Sequence, residues 1–207
     1  MILYKKYLYK KDNKMKTILK VFTTLLFSAM LLNASEFTID KTHSQVAFKV
    51  KHMMISNVQG TFNEYDGDIE FDTKTMQFES LSAEMETKSV DTGIEKRDNH
   101  LRSADFFDAK KNPTITFEMK SYKGDKESGK MEGELTIKGI TKKVTFDVEI
   151  GGVIKDPSGN TRIGFALEGK IKRKEFGLKW NKLLEAGGLA VSETVKLTIE
   201  IEAIEEL

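Results

Sequence analysis

The sequence predicts an all-β fold, an antiparallel barrel of about eight strands, from the three following observations. Apolar and polar residues alternate along most of the chain, turn-forming residues separate the alternating runs, and only two prolines occur. Alternation with a period of two is typical of strands with one buried and one solvated face. Closing eight such strands into a barrel buries every apolar face and leaves no open edge. A sandwich of two sheets fits the alternation almost as well.

The strands are predicted where the alternation is strongest. The clearest runs are 44–51, 114–119, 143–150 and 195–202. Weaker runs lie at 58–64, 67–72, 80–88, 131–138 and 162–172. Short segments with Gly, Asp or Pro, such as Gly151-Gly152 and Asp156 to Asn160, separate these runs. Short connections of this kind predict hairpins and therefore an antiparallel meander.

Two segments do not alternate and are predicted to be irregular. The first, 91–108, has Asp91 or Thr92 as a candidate N-cap and Glu95 in the following turn, which predicts a short helix packed on the barrel. The second, 176–189, contains the only tryptophan of the chain.

Residues 1–34 are predicted to be a signal peptide. A basic start precedes an apolar run from Val21 to Leu32, and small residues follow at Ala34 and Ser35. The run is shorter than the roughly 20 residues that cross a bilayer, so we expect cleavage after Ala34. The same pattern would result if translation began at Met15. This prediction leaves one domain at 35–207 and a periplasmic or secreted location.

Charge and composition exclude several classes of function. Residues 1–34 hold seven lysines and one aspartate, so the rest of the chain has 26 basic and 31 acidic residues. An acidic domain repels phosphate backbones, and we expect no nucleic-acid partner. The chain has no cysteine, which excludes disulfides, thiolate metal sites and thiol catalysis.

The face that the alternation turns inward is almost wholly apolar. These side chains either fill the barrel as an ordinary core or line a cavity, and the pattern alone leaves both interpretations open. Methionines suited to a flexible lining and glycines inside the predicted strands (Gly60, Gly133, Gly164 and Gly169) favour a cavity.

A series of motifs covers residues 36–207 in a recognisable order. They are Phe37 to Ser44 (FTIDKTHS), Val58 to Phe62 (VQGTF), Ser89 to Gly93 (SVDTG), Arg97 to Asp108 (RDNHLRSADFFD), Asn112 to Phe117 (NPTITF), Gly133 to Thr141 (GELTIKGIT) and Arg173 to Asn181 (RKEFGLKWN). With these motifs the sequence resembles the YceI family of bacterial polyisoprenoid-binding, lipocalin-like proteins.

The resemblance implies an eight-stranded antiparallel lipocalin-like β-barrel with a short helix packed on it. It also implies an elongated apolar channel that holds a polyisoprenoid, an isoprenoid quinone or a fatty-acid-like molecule, for carriage or storage in the periplasm. A homodimer is implied as well. Since a bilayer competes for such a ligand, we also expect transient contact with membranes.

Candidate site residues follow from the inward face and the irregular segments. The expected channel lining is Phe48, Val50, Met53, Phe62, Phe71, Leu81, Met85, Phe106, Ile115, Phe117, Ile137, Phe146, Phe165, Leu167, Phe176 and Trp180. The candidates for binding a polar head group are His43, His52, Arg97, His100, Arg102 and Asn181. An arginine beside a histidine can bind a phosphate or carbonyl through charge-assisted hydrogen bonds. Alternatively, Arg97 and Arg102 pair with Asp98, Asp105 or Asp108 and hold the helix in place.

Other functions have weaker support in the sequence. The motifs of nucleophile elbows, phosphate-binding loops and zinc proteases are absent, so we expect no catalytic residue, no cofactor other than the lipid and no metal. A barrel with a solid core that binds a partner or acts under stress remains an alternative. A further alternative function is that of a metalloenzyme in which His43, His52 and His100 hold zinc.

Overall fold

The computed structural model describes residues 34–185 and 187–206. Residues 1–33 of the predicted signal peptide lie outside this part of the chain. Within it, no helix has both the length and the apolar character needed to cross a bilayer.

The described residues form eleven strands, one α-helix and two short 3-10 turns. The first six strands are β1 (Ser35–Ile39), β2 (Gln45–His52), β3 (Ser56–Phe62), β4 (Tyr65–Asp72), β5 (Gln77–Glu86) and β6 (Val90–Asp91). The helix is α1 (Glu95–Arg102). The last five strands are β7 (Thr114–Gly124), β8 (Ser128–Ile137), β9 (Ile140–Lys155), β10 (Thr161–Lys172) and β11 (Val191–Glu205). The 3-10 turns are Thr87–Ser89 and Arg173–Phe176.

The first three walls of the barrel are long strands that are each interrupted once. β1 and β2 follow one another along the same edge of β11, separated by 40–44. In the same way, β3 pairs with β2 and β4 pairs with β1, so that β3 and β4 form the second wall. The third wall consists of β5, which pairs with β4, and β6, which pairs with β3. The interruptions are bridged by hydrogen bonds, because Tyr65 Oη donates to Ser44 O (2.7 Å) and Asn63 N to Ser89 O (3.3 Å).

When each interrupted pair of strands is counted as one wall, the barrel is closed and has eight antiparallel walls. β5 pairs with β7, and β7 to β11 follow as consecutive hairpin neighbours. β11 then pairs with both β1 and β2 and closes the sheet. The predicted eight-stranded barrel is confirmed, and the alternative of a two-sheet sandwich is wrong.

The two ends of the barrel differ in their packing. At the hairpin end, defined by the turns 73–76, 125–127 and 156–160, aromatic rings fill the interior. The ring of Phe78 lies 4.9 Å from those of both Phe71 and Phe165. The opposite end, which we call the helix end, is covered by α1 and by residues 173–190. The elongated channel implied by the resemblance therefore does not extend into the hairpin end.

The predicted short helix is present, although its start differs from the prediction. The N-cap position is Ile94, and no side chain caps the helix there. The carboxylate of Asp98 instead accepts hydrogen bonds from the backbone N–H and hydroxyl of Thr92. Arg102 fastens α1 to the barrel, since its guanidinium donates to Lys88 O and Val90 O, both at 2.7 Å.

Candidate ligand-binding cavity

A cavity of about 310 Å³ lies inside the barrel, between the packed hairpin end and the cover of the helix end. Its size is near the lower limit of ligand pockets in proteins, which span roughly 300–1,000 Å³. Its walls are side chains from all eight walls of the barrel, and most of them are aliphatic or aromatic. The interior therefore offers an apolar environment, and the ring of Phe165 separates it from the aromatic cluster.

Inward side chains on one side of the barrel remain half-buried although they point into its interior. This holds for Val46, Phe48 and Val50 of β2 and for Leu197 and Ile199 of β11. On β9 and β10 the inward side chains of Phe146, Val148, Phe165 and Leu167 are buried. The space next to β2 and β11 is thus the unfilled part of the core.

Glycines in the walls let phenylalanine rings lie flat beside the sheet. A Cβ atom on Gly133 would lie 2.4 Å from the ring of Phe117, and one on Gly169 would lie 2.7 Å from that of Phe146. The two rings meet edge to face, with centroids 5.4 Å apart. Since the rings occupy the places of missing side chains, they line the cavity without filling it.

Aromatic rings from both irregular segments cover the cavity at the helix end. His100 of α1 lies 5.0 Å from Phe106 and 4.9 Å from Trp180, both edge to face, and Phe106 lies 5.3 Å from Trp180. His100 Nε2 also contacts a carboxylate oxygen of Asp105 at 2.9 Å. This cover combines an apolar inner surface with polar groups at its rim.

Two arginines contribute positive charge to the lining. Arg97 donates to the hydroxyl and the carbonyl oxygen of Thr92, at 2.7 and 2.8 Å. Arg173 is only 3% exposed, and burial lowers the pKa of its guanidinium. Its donors bind the backbone carbonyl oxygens of Leu178 and Trp180 in the cover and those of Val191 and Ser192 at the start of β11. Arg173 therefore holds the cover in place and puts a buried cation beside an apolar space.

Most residues predicted to line the channel lie on the cavity. They are Phe48, Val50, Phe62, Leu81, Met85, Phe106, Ile115, Phe117, Ile137, Phe146, Phe165, Leu167 and Trp180. The other three lie elsewhere. Phe71 is in the aromatic cluster of the hairpin end, Phe176 is a buried residue of the second 3-10 turn, and Met53 is 43% exposed in the β2–β3 turn. Alternation shows which face a side chain is on but not how far along the barrel axis it lies.

The predicted head-group residues divide into two sets. His52, Arg97 and His100 lie on the cavity. Arg102 is used to fasten α1, and Asn181 bonds the backbone N–H and carbonyl oxygen of Val191. His43 lies at the β1–β2 interruption, where its Nδ1 is 2.9 Å from Asp40. The alternative in which Arg97 and Arg102 pair with Asp98, Asp105 or Asp108 is wrong, because both arginines bind other acceptors. Arg102 nevertheless holds the helix in place, as that alternative proposed.

The sequence prediction missed Arg173 as a residue of the lining. The alternation of β10 places Phe165, Leu167, Gly169 and Ile171 inward, and Arg173 continues the same period of two. An arginine at an inward position of an otherwise apolar strand face is the sequence signal that could have identified Arg173 as a lining residue.

The three histidines do not meet around one point. In the described part of the chain, the group of potential metal ligands found close together is Asp40, His43 and Glu202. Arg162 already binds two of these, with Nη1 2.7 Å from Asp40 and 2.6 Å from Glu202. The same guanidinium also binds Asp156, with Nε at 2.9 Å from its carboxylate. The cluster is therefore an ion-pair network at the strand interruption. Zinc held by the three histidines is not supported.

Fold and site together define the class of closed up-and-down β-barrels with an internal apolar cavity. The chain belongs to the YceI family, since the model of the YceI-like domain matches residues 37–203. Protein YceI of Escherichia coli O157:H7 is 38% identical over 187 residues, which cover 89% of this chain and 95% of that protein. The crystal structure of the Campylobacter jejuni YCEI protein is similar with a TM-score of 0.66 and 44% identity, over 82% of this chain and 98% of that one.

A more distant structure has the same fold. It is described as a polyisoprenoid binding domain from Saccharophagus degradans, and it matches with a TM-score of 0.59 and 16% identity over 82% of this chain and 98% of that one.

Proposed function

We propose that this protein binds the hydrocarbon part of a long-chain amphiphile, such as a polyisoprenoid, an isoprenoid quinone or a fatty-acid-like molecule, in its barrel. The observation that carries the proposal is the unfilled apolar space beside β2 and β11. Protein interiors are normally packed as densely as organic crystals, and leaving inward aliphatic side chains without neighbours costs stability. A ligand with an apolar chain would supply the missing contacts. The description of the S. degradans domain as polyisoprenoid binding agrees with this ligand class.

The energetics suit a carrier. Each buried methylene is worth about 0.8 kcal/mol relative to water, but a bilayer offers the same burial. Transfer between bilayer and barrel is then close to balanced, and the protein can both load and unload its ligand. We propose carriage or storage in the periplasm or outside the cell rather than catalysis. Export and homodimerisation are parts of this proposal that rest on the sequence.

The polar end of the ligand would face the helix end, where Arg97 and His100 lie on the cavity. The Arg97→Met variant keeps an unbranched apolar side chain but removes the charge and the hydrogen-bond donors. We expect it to weaken binding of a fluorescent prenyl phosphate by about tenfold or more, since charge-assisted hydrogen bonds are worth about 1.5–3 kcal/mol. Binding of a neutral prenyl alcohol probe should not change. Equal losses for both probes would contradict a head-group role.

The Leu197→Trp variant tests the binding site itself. Leu197 is an inward, half-buried residue of β11, so an indole there should extend into the unfilled space. Titration with a fluorescent prenyl probe should show uptake at least tenfold weaker than in the wild type. Lys196→Trp, one residue away on the outer face of the same strand, is the matched control. Unchanged uptake in a folded Leu197→Trp protein, checked by its melting temperature, would refute the proposed site.

The competing function is a partner-binding barrel without a ligand. The same titration separates the two, because a barrel of that kind would not take up the probe at any concentration at which the probe is soluble.

A further inference from the structure

The β2–β3 turn combines exposed apolar side chains with an unfavourable backbone. Met53 and Met54 have φ angles of 49° and 64°, and Ile55 N donates to His52 O at 3.2 Å. Two central residues with positive φ define a type I′ turn, for which Asn-Gly is the usual sequence. Instead the turn has Met53 (43% exposed), Met54 (60%) and Ile55 (88%). A strained turn that exposes three large apolar side chains suggests a function at this position.

A further exposed apolar residue, Leu183, lies in a loop that adjoins this turn. Met53 N donates to Ala190 O at 2.8 Å, and Met54 Cγ lies 3.9 Å from the place of a Cβ on Gly188. This contact joins the turn to the loop before β11, in which Leu183 is 79% exposed. We call the four residues Met53, Met54, Ile55 and Leu183 the apolar tip.

The apolar tip lies beside the cavity. His52 immediately precedes it and pairs with Val191, and both residues line the cavity. Trp180, which covers the cavity, lies three residues before Leu183. A surface that bound the tip would therefore be held next to the covered end of the binding site.

Charge is distributed unevenly between the two ends of the barrel. The parts of the helix end at 49–57, 138–143 and 170–194 contain eleven lysines and arginines and three glutamates, while 87–113 is nearly neutral. The rest of the domain from residue 34 onward has nine basic and 23 acidic residues. An acidic domain thus has one strongly basic end, and the apolar tip lies within that end.

We propose that the helix end docks on an anionic lipid bilayer, with the apolar tip inserted among the lipids and the surrounding lysines on their head groups. Apolar side chains ringed by basic residues are typical of interfacial membrane binding. The acidic body would point away from the membrane. A second copy of the chain is a poorer occupant, because a symmetric contact would bring two basic surfaces together. The purpose of docking, exchange of ligand with the bilayer, rests on the proposed function, but the docking itself does not.

Cosedimentation of the protein, lacking residues 1–34, with vesicles tests this proposal. Binding to phosphatidylglycerol–phosphatidylcholine vesicles should exceed that to phosphatidylcholine alone and should fall as salt is added. Replacing Met54, Ile55 and Leu183 together with serine should weaken it at least tenfold. The variant Lys51→Gln with Lys182→Gln should lose about 25-fold at low salt, since each lysine near an anionic surface is worth about fivefold. Ile154→Ser, a 64% exposed residue near the hairpin end, is the control and should bind normally.

The proposal is overturned if the serine variant binds vesicles as well as the wild type, or if the wild type does not bind them. A dimer that is seen by sedimentation velocity and lost in the serine variant would also overturn it, by showing that a second copy covers the tip. Uptake of the prenyl probe from solution is measured on the same variants and should not change. Failure of probe uptake in the wild type would end the proposed function, while the vesicle data would still decide whether the tip docks.

Discussion

Adding one methyl group at Gly169 should close part of the cavity without altering its chemistry. Gly169 lies inward on β10, and neither Gly169 nor Gly164 on the same strand has a positive φ angle, so alanine fits the backbone at both positions. At Gly169 the new Cβ would lie 2.7 and 2.8 Å from two atoms of the Phe146 ring, closer than real contacts allow. The nearest backbone atom, Thr145 O, is at 3.4 Å. The ring must therefore move, and the cavity is the space available to it.

The size of the effect follows from the space that the ring takes. If the displaced ring excludes two or three methylenes of a bound chain, the loss is about 2 kcal/mol at ~0.8 kcal/mol each. This corresponds to a Kd for the prenyl probe that is roughly 30-fold higher. Moving a ring in a packed wall also lowers the free energy of unfolding by about 1–3 kcal/mol.

The matched control for this variant is Gly164→Ala. No heavy atom lies within 4 Å of a Cβ at Gly164, so the variant should bind the probe like the wild type. Probe titration and urea unfolding of both variants provide the comparison. The reasoning fails if Gly169→Ala binds the probe with wild-type affinity, or if Gly164→Ala weakens binding to the same extent.

Three further predictions concern residues that hold the site together. Arg173→Met should lower the free energy of unfolding by about 3 kcal/mol or more in urea titrations, because it leaves buried carbonyl oxygens without donors; Arg173→Lys should rescue it only in part. Arg162→Gln should lower the urea midpoint at pH 7, and the difference from the wild type should shrink as the pH falls below about 4. The reason is that hydrogen bonds, from Thr42 first and also from Arg162, hold the pKa of Asp40 well below its usual range, while Arg162 lowers that of Asp156 to about 2. A carboxyl group whose pKa is lower in the folded than in the unfolded protein stabilises the fold at pH values above its unfolded pKa, and this stabilisation is lost as the pH falls through its folded pKa. A difference in urea midpoint between Arg162→Gln and the wild type that grows in acid would contradict this. Asp98→Ala should speed amide exchange in α1 in hydrogen-exchange mass spectrometry, whereas unchanged protection would show that its carboxylate does not hold the helix.

The sequence was sufficient to predict most of the strands and the inward face because both depend on local periodicity. The short strands β1 and β6 were not among the predicted runs. Val195, Leu197, Ile199 and Ile201 alternate with polar residues, and all four lie on the cavity. Closure into a barrel was not decided by this pattern, since a sandwich buries the same faces. The pairing of β11 with both β1 and β2 closes the barrel, and this pairing joins the last strand of the domain to its first two strands.

Positions along the barrel axis and in the loops were harder to predict. Phe71 and Phe117 are both inward aromatic residues, yet one fills the hairpin end and the other lines the cavity. The difference depends on neighbours from several distant strands. Met53 was assigned to the lining because it is apolar and follows β2, but the type I′ turn directs it to solvent. The cover of the cavity depends on Arg173, whose hydrogen bonds reach residues up to 19 positions away.

Native mass spectrometry of the protein, exported by a bacterial host and desalted gently, tests the central claim most directly. If the barrel holds an amphiphile, the folded protein should carry an added mass that is released on unfolding and is identified in the organic extract as a single long-chain lipid per barrel. Leu197→Trp protein from the same host should carry little or none of it. A wild-type protein with the mass of the bare polypeptide, which also fails to take up a prenyl or fatty-acid probe, would contradict the account.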